Sequence, residues 1–507
     1  MKKYTILFLV ALMSFTSCKK SFIEQTDPNA VPLGESFKTE TDVLLAVNGA
    51  YQALRSADNI GENSGLYTDE RSDDTGRNEA QANAGEPFQF GDFSLLPGNT
   101  YIKTHWLNLY QAITRCNTVT TYIDKVTFAS ASTKGQYLAQ AKFIRALMYF
   151  QLVRKWGPVP LVTVTLASNE ITANTYRQSE AAVYAQIVAD LKDGLTSDLP
   201  NLQTGGNAGR VGKAAINGLL GQVYLTMAST FTEGKAENLA NANTYLTACY
   251  NMRPFTTLST IPYADVFDVT KKTIANNEVI FEIVNIQGNL TYSSSIAANN
   301  QALGETINSR KTGQGVGGNV TRDLVDEYET TDPRKAFSVK YAAAPSVLDY
   351  FVTKYRDASA EATTNGYGGN NTPLMRYADI ILLLAECNLN QGNTTAAIQY
   401  LDMVRARAGV PLYAAASADP AYRAKFPTLK LAILHERRVE LAFEHIRWFD
   451  LIRTFTTAEL VAYFKAKSQS TFGNAKLANF STKDRYYPIP LDEYKLDPAR
   501  MYQNPGY

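Results

Sequence analysis

Tyr67, Asp69, Glu70, Arg71, Asp73 and Asp74 put an aromatic ring, four carboxylates and a guanidinium into one short stretch, with Arg77, Phe88 and Phe90 soon after. A second group, Tyr292, Asn299, Asn300 and Arg310, has the same mixture with amides added. Sugar recognition uses an aromatic plate ringed by amides, carboxylates or guanidinium groups. Tyr67, Asp69, Arg71, Asp73, Phe88, Tyr292, Asn300 and Arg310 are therefore the candidate ligand contacts. The alternative is that the acids and arginines pair with one another while the rings pack inward. Asp69, Glu70, Asp73 and Asp74 could also hold a calcium ion, which needs six to eight oxygens. The full calcium-loop pattern is missing, so no cofactor is expected.

Reaction chemistry is sparse. The histidines are His105, His435 and His445, and none repeats at metal-ligand spacing. His435-Glu436-Arg437-Arg438-Val439 begins like a zinc-protease helix but has valine in place of the second histidine. Gly313-Gln314-Gly315-Val316-Gly317-Gly318 matches a dinucleotide loop in letters only, because no strand leads into it. There is no Gly-x-Ser-x-Gly elbow. Asp73-Asp74 could serve as acid and base in a glycosidase, yet adjacent loop acids are more often solvated. A binding protein rather than an enzyme is expected.

The N-terminus reads Met1-Lys2-Lys3, an apolar run Tyr4 to Phe15, then Thr16-Ser17-Cys18. Basic, apolar, small, cysteine is the order of a lipoprotein signal, which predicts a signal peptide over 1–17 and a lipid on Cys18. The alternative is ordinary secretion with Cys18 a plain residue. A spanning helix needs about 20 apolar residues, and neither Tyr4 to Phe15 nor Ile380 to Ala385 is long enough. More than one acyl chain is needed for stable attachment, which a triacylated cysteine supplies.

The 507 residues carry 49 basic and 48 acidic side chains and lack basic runs interleaved with aromatics, which argues against nucleic acid. Thirty tyrosines stand beside only three tryptophans. Beyond Cys18, the cysteines Cys116, Cys249 and Cys387 cannot all pair, and buried free thiols are expected. Helical spacing predicts helices from 41 to 54, 106–125, 134–156, 179–195, 212–229, 236–251, 374–391, 393–408 and 428–454. Residues 56–100 hold many glycines and prolines and read as a long functional loop. Residues 278–283 alternate like a strand, 284–319 are polar, and 455–507 look irregular. The pairs 212–229 with 236–251 and 374–391 with 393–408 read as helical hairpins of tetratricopeptide type.

Residues 139–161 contain Ala139-Gln140-Ala141-Lys142-Phe143-Ile144-Arg145-Ala146-Leu147-Met148-Tyr149-Phe150 and then Lys155-Trp156-Gly157-Pro158-Val159-Pro160-Leu161. With Trp106, Leu109-Tyr110, Ile113 and Cys116-Asn117 ahead of it, this resembles the SusD/RagB family of outer-membrane nutrient-binding lipoproteins. Arg376-Tyr377-Ala378-Asp379 with Ala385-Glu386 fits the same family. So do Glu436 to Glu444 with Arg447-Trp448-Phe449-Asp450-Leu451, and the end Tyr487-Pro488-Ile489-Pro490 with Gln503-Asn504-Pro505-Gly506-Tyr507. The resemblance implies a mostly helical fold: a tetratricopeptide-like scaffold with a loop-rich variable half containing a few short strands. It divides the chain into an extended strap at 18–38, an N-terminal helical region at 39–255, a mixed ligand-side region at 256–370 and a C-terminal region at 371–507. It implies capture of a glycan, or alternatively a peptide, as the lid of a SusC-like TonB-dependent importer. A further alternative is a structural lid with no ligand site of its own. The resemblance places the three tryptophans in the core, so starch stacked on tryptophan is disfavoured. The charges from Glu436 to Arg453 are expected to pair at three-residue steps into a partly buried network. Lys19-Lys20 precede the first acid, Glu24, which bears on whether the lipid-anchored protein faces the cell surface.

Overall fold

The computed structural model describes residues 33–56, 58–62, 64–76, 85–272, 277–299, 319–341, 350–467 and 479–507. The signal segment, Cys18, most of the strap, Asn300 and Arg310 lie outside these.

Thr39 starts α1 (Glu40–Leu54) with a capping box. Its hydroxyl accepts from the Asp42 amide, and Asp42 accepts from the Thr39 amide at 2.7 Å. Val43, Val47, Ala50 and Leu54 then share the buried face. α2 (Thr100–Tyr122) is capped by Asn99, and α3 (Ala131–Trp156) by Ser130. α3 stops where Gly157 turns to φ +70 and Pro158 follows. The Trp156 indole N–H, fully buried, donates to the Pro488 carbonyl at 2.9 Å and ties the C-terminal tail to this helix. α4 (Glu180–Leu195), α5 (Lys213–Thr230) and α6 (Lys235–Asn251) continue the array.

The middle of the chain supplies short strands. β1 (Thr75–Gly76), β3 (Asn319–Val320), β5 (Tyr350–Val352) and β4 (Val339–Tyr341) form an antiparallel sheet in the order β1-β3-β5-β4. β2 (Val279–Ile283) pairs antiparallel with β6 (Thr372–Arg376), in a register that sets Val279 opposite Arg376 and Ile283 opposite Thr372. All five residues of β2 are buried, so it is covered on both faces. Glu282 is buried along with its apolar neighbours and accepts from Asn371 Nδ2 at 2.8 Å.

α7 (Tyr377–Asn390) follows β6 directly and turns into α8 (Thr394–Ala408) through Gln391-Gly392-Asn393, with Gly392 at φ +83. Neighbouring helices pack pairwise, α1 on α2, α2 on α3, α3 on α4, α5 on α6, α6 on α7 and α7 on α8. The result is a stack of helical hairpins of tetratricopeptide type, whose faces are buried only by stacking. One large core runs through α1 to α7 and takes in Tyr487, Ile489 and Met501 of the tail.

Two expectations are corrected here. The helix expected over 428–454 is two helices, α9 (Leu429–Glu440) and α10 (Arg447–Thr454). Between them Phe443 and His445 take φ +64 and +63, a left-handed backbone that interrupts the helix. The tail expected to be irregular contains α11 (Thr457–Ala466), opened by a capping box at Thr456 and Glu459. Phe464 of α11 packs with Phe93, Trp448 and Phe480 in a separate aromatic cluster. The three tryptophans are all core residues, and Cys116, Cys249 and Cys387 are buried free thiols.

Candidate functional site

The stretch from Tyr67 to Asp74 is interior, not a surface loop. The Tyr67 hydroxyl donates to Asp58 Oδ1 at 2.7 Å, and its ring stacks on His105 at 3.9 Å. Asp69 meets His445 Nδ1 at 2.8 Å. Arg71 donates to Asp484 and lies against the rings of Phe93, Trp448 and Tyr487. Asp73 accepts from Arg447 at 2.7 and 3.0 Å, and from the Tyr463 hydroxyl at 2.6 Å, with the Lys467 ammonium 2.9 Å away. Burial works against the Asp73 anion, but Arg438, Arg447 and Lys467 outweigh it and hold its carboxyl well below the usual range. Asp74 accepts from Arg438 Nε at 2.8 Å.

These contacts correct the reading of Tyr67, Asp69, Arg71 and Asp73 as ligand contacts. Each is at most 4% exposed and already bonded within the protein. The calcium reading meets the same obstacle, because Asp73 and Asp74 face guanidinium and ammonium groups that would repel a dication.

The charged stretch 436–453 does form a network, though mostly through distant partners. Arg447 reaches Asp73, not Glu444 or Asp450. Glu444 binds Arg376 and Lys354. Only Asp450 and Arg453 pair at the expected three-residue step, 2.6 Å apart, while Asp450 also takes Arg437 and Arg453 takes Glu386. Arg376 bridges Glu278, Glu440 and Glu444. Glu329, His435 and Glu436 converge closely enough for a metal. Arg405 already bridges Glu329 and Glu436, and Arg334 takes the other oxygen of Glu436, so this too is an ion-pair cluster.

Tyr292 has a different setting. It is 44% exposed, and Arg55 lies over its ring with the guanidinium carbon 5.5 Å from the centroid. Beside them is an open polar cavity of about 350 Å³. Its walls come from the C-terminal turn of α1 (Gln52, Arg55, Ser56), the turn at Gly61-Glu62, the outer stripe of α2 (Asn108, Gln111, Arg115) and the segment from Ile283 to Ser293. Each wall is held in place. Arg55 donates to the Val284 carbonyl at 2.6 Å, and Arg115 to the Gly49 carbonyl at 2.6 Å. The Ser56 hydroxyl donates to Asn108 Oδ1 at 2.7 Å. Glu62 accepts from the Ser295 amide at 2.9 Å and its hydroxyl at 2.6 Å. Asn289 Oδ1 accepts from the amides of Thr291 and Tyr292, both at 2.9 Å, which fixes the turn carrying the ring. Val284, Ile286 and Leu290 are exposed along the same segment.

None of the residues singled out from sequence lines this cavity; Tyr292 adjoins it, between the lining residues Thr291 and Ser293 and under Arg55. Phe88 is half-buried at the start of the short helix Phe88–Gly91. Asn108, Gln111 and Arg115 were missed because they belong to a helix read as scaffold, and Arg55 because it follows directly on one, while Glu62 lies in the loop read as functional but was not singled out. The signal for the first three is the polar spacing 108, 111, 115 on α2, opposite the buried Trp106, Leu109 and Ile113. A larger cleft of about 910 Å³ lies between α4 to α7, α9 and the tail, and contains none of the residues proposed for ligand contact.

The helical-hairpin platform carries a polar cavity walled by α1, α2 and the 283–293 segment. Two family models match the chain. One, described as the SusD family, covers residues 343–507, and the other, described as starch-binding and associating with the outer membrane, covers 22–225. The chain belongs to the SusD family. SusD-like protein P2 of Formosa agariphila is 25% identical, with 100% of both chains covered. A solved structure titled laminarin binding SusD-like protein has 26% identity and a TM-score of 0.73, covering 93% of this chain and all of that one. Surface glycan-binding protein A from Bacteroides thetaiotaomicron, solved with laminarihexaose, shares the fold with a TM-score of 0.73 at 21% identity, covering 92% and 99%.

Proposed function

We propose that this protein captures an oligosaccharide at the cavity beside Tyr292 and serves as the lid of a SusC-like TonB-dependent importer at the outer membrane. The observation that carries the reading is the exposed Tyr292 ring under Arg55, which itself lines a cavity with Gln52, Glu62, Asn108 and Gln111. A sugar presents an apolar face to such a ring and hydroxyls to such amides and carboxylates. The glycan-binding titles of the similar structures support this class of ligand. Lipid on Cys18 would hold the protein to the membrane, with residues 18–38 as its strap and the helical platform toward the importer. The protein carries no catalytic step in this reading.

Titration calorimetry of the purified protein against laminarihexaose and a panel of plant and algal oligosaccharides tests the ligand. Tyr292→Ala should weaken the bound glycan about tenfold, in line with about 1–1.5 kcal/mol for an aromatic contact. Unchanged affinity in that variant would remove the cavity from the reading. A peptide ligand is the second reading, favoured by the exposed Val284, Ile286 and Leu290 beside the ring, and a peptide mixture in the same titration separates the two. Co-purification of an importer from outer membranes, lost in Cys18→Ala, tests the anchor and the partner together.

A further inference from the structure

The charges around the cavity narrow the ligand further, on the reading that this cavity is the glycan site. Arg55 and Arg115 both line it, and among the described residues neither has a carboxylate within ion-pair distance. Each gives one N–H to a backbone carbonyl and belongs to a planar fork of five donors. Arg210 extends the basic strip along α1. It lies over the Tyr51 ring at 4.4 Å and donates to Asn48 and Gln140, again without an acid. The one carboxylate among the described residues of the cavity wall, Glu62, takes its hydrogen bonds from Ser295 while still acting on Arg55 through space. The arginines of the interior network, Arg376, Arg438 and Arg447, are paired with acids, whereas Arg177, Arg356 and Arg485 also donate to carbonyls without an acid among the described residues. What sets Arg55 and Arg115 apart is that both line one open cavity. A guanidinium fork matches a carboxylate with two parallel hydrogen bonds.

We infer that the cavity selects an acidic oligosaccharide, one whose uronate carboxylate docks on Arg115 and Arg55 while a neighbouring ring lies on Tyr292. Neutral sugars would leave Arg115 without a counter-charge and Arg55 with only the nearby Glu62, which lies beyond ion-pair distance. The same geometry predicts a marked weakening of binding as salt is raised, because the cavity is open and its charges are screened.

The test uses three probes of equal length: an oligouronate, the same oligouronate with its carboxyl groups reduced to alcohols, and laminarihexaose. The oligouronate should bind at least tenfold more tightly than its reduced form. Arg115→Gln should abolish that ratio, and Arg115→Lys should keep part of it. Circular dichroism and melting of each variant show that the fold is retained. A reduced form that binds as well as the oligouronate, or a ratio untouched by Arg115→Gln, overturns the inference. If neutral laminarihexaose alone binds and Tyr292→Ala weakens it, the glycan site stands and the acidic preference falls. If Tyr292→Ala affects no probe, the site itself falls and takes this inference with it.

Discussion

Removing Arg447 should destabilise the fold by less than removing its partner Asp73. Arg447 is 4% exposed and gives two hydrogen bonds to Asp73 and one to the Tyr463 hydroxyl. Breaking a buried pair costs about 3–5 kcal/mol, mostly because the survivor is left charged and dry. In Arg447→Ala the survivor is Asp73, which keeps Lys467 at 2.9 Å, Arg438 at 3.2 Å and the Tyr463 hydroxyl. That variant belongs at the low end, about 3 kcal/mol. In Asp73→Ala the survivor is Arg447, left with Tyr463, a long contact to the Leu434 carbonyl and Asp74 at 4.0 Å. Arg438 and Lys467 are not stranded, since Arg438 keeps Asp74 and Glu327, and both keep Asp323. The upper end, about 5 kcal/mol, applies there. Urea unfolding followed by circular dichroism reads the difference. With a slope of about 3 kcal/mol per molar, Arg447→Ala lowers the midpoint by about 1 M, and Asp73→Ala lowers it further. Glycan affinity should not move in folded Arg447→Ala, because Arg447 does not line the Tyr292 cavity. An Arg447→Ala midpoint within about 0.2 M of wild type, or a loss larger than that of Asp73→Ala, would refute the network as described.

Three further outcomes are expected. Gly221→Ala should cost about 1–3 kcal/mol in the same urea assay, because an added methyl would meet Leu246 Cγ at 2.4 Å and the Leu246 amide at 3.1 Å, where α5 and α6 are closest. Burial favours the neutral form of His435, but its 3.1 Å contact with Glu327 and the neighbouring Glu329 carboxylate at 3.6 Å outweigh it and raise its pKa. Its folded pKa is raised, so its contribution to stability is complete below about pH 6.5 and is lost as pH rises through the folded value. His435→Gln should flatten that limb of the stability–pH curve, and an unaltered curve would contradict the assignment. Burial pushes the Cys116 and Cys387 thiols up to about 12, so an aromatic disulfide reagent should label Cys116, Cys249 and Cys387 only after denaturant is added.

Most of the helical platform was legible in the sequence because its information is local. Gly157-Pro158 stops α3, and Val43, Val47 and Ala50 repeat with the helical period, while the caps at Thr39 and Ser130 sit ahead of the starts read at 41 and 134. The site was much less legible. From Tyr67 to Asp74 the residue types suit a ligand and an ion network equally well, and the deciding partners are hundreds of positions away, at Arg438, Arg447 and Asp484. The continuous helix read over 428–454 failed for a related reason. The left-handed backbone at Phe443 and His445 has no local signature, and the Tyr355 hydroxyl bonded to the Phe443 carbonyl and the Asp69–His445 contact are both long-range. Arg55 and Arg115 could be recognised only once the 283–293 segment was seen to share a cavity wall with them.

The joining of the segment around residue 70 to α9 through α11 makes the chain indivisible. A fragment ending near residue 255 would contain nearly all of the hairpins up to α6. It would still expose Arg71, Asp73 and Asp74 without their counter-charges, and the Trp156 N–H without its acceptor on Pro488. Neither the 22–225 nor the 343–507 segment is then a module that could be transplanted alone. A newly made chain would complete its first interior only when its last residues arrive, so a truncated product should be cleared by proteases rather than persist as a half-working binder.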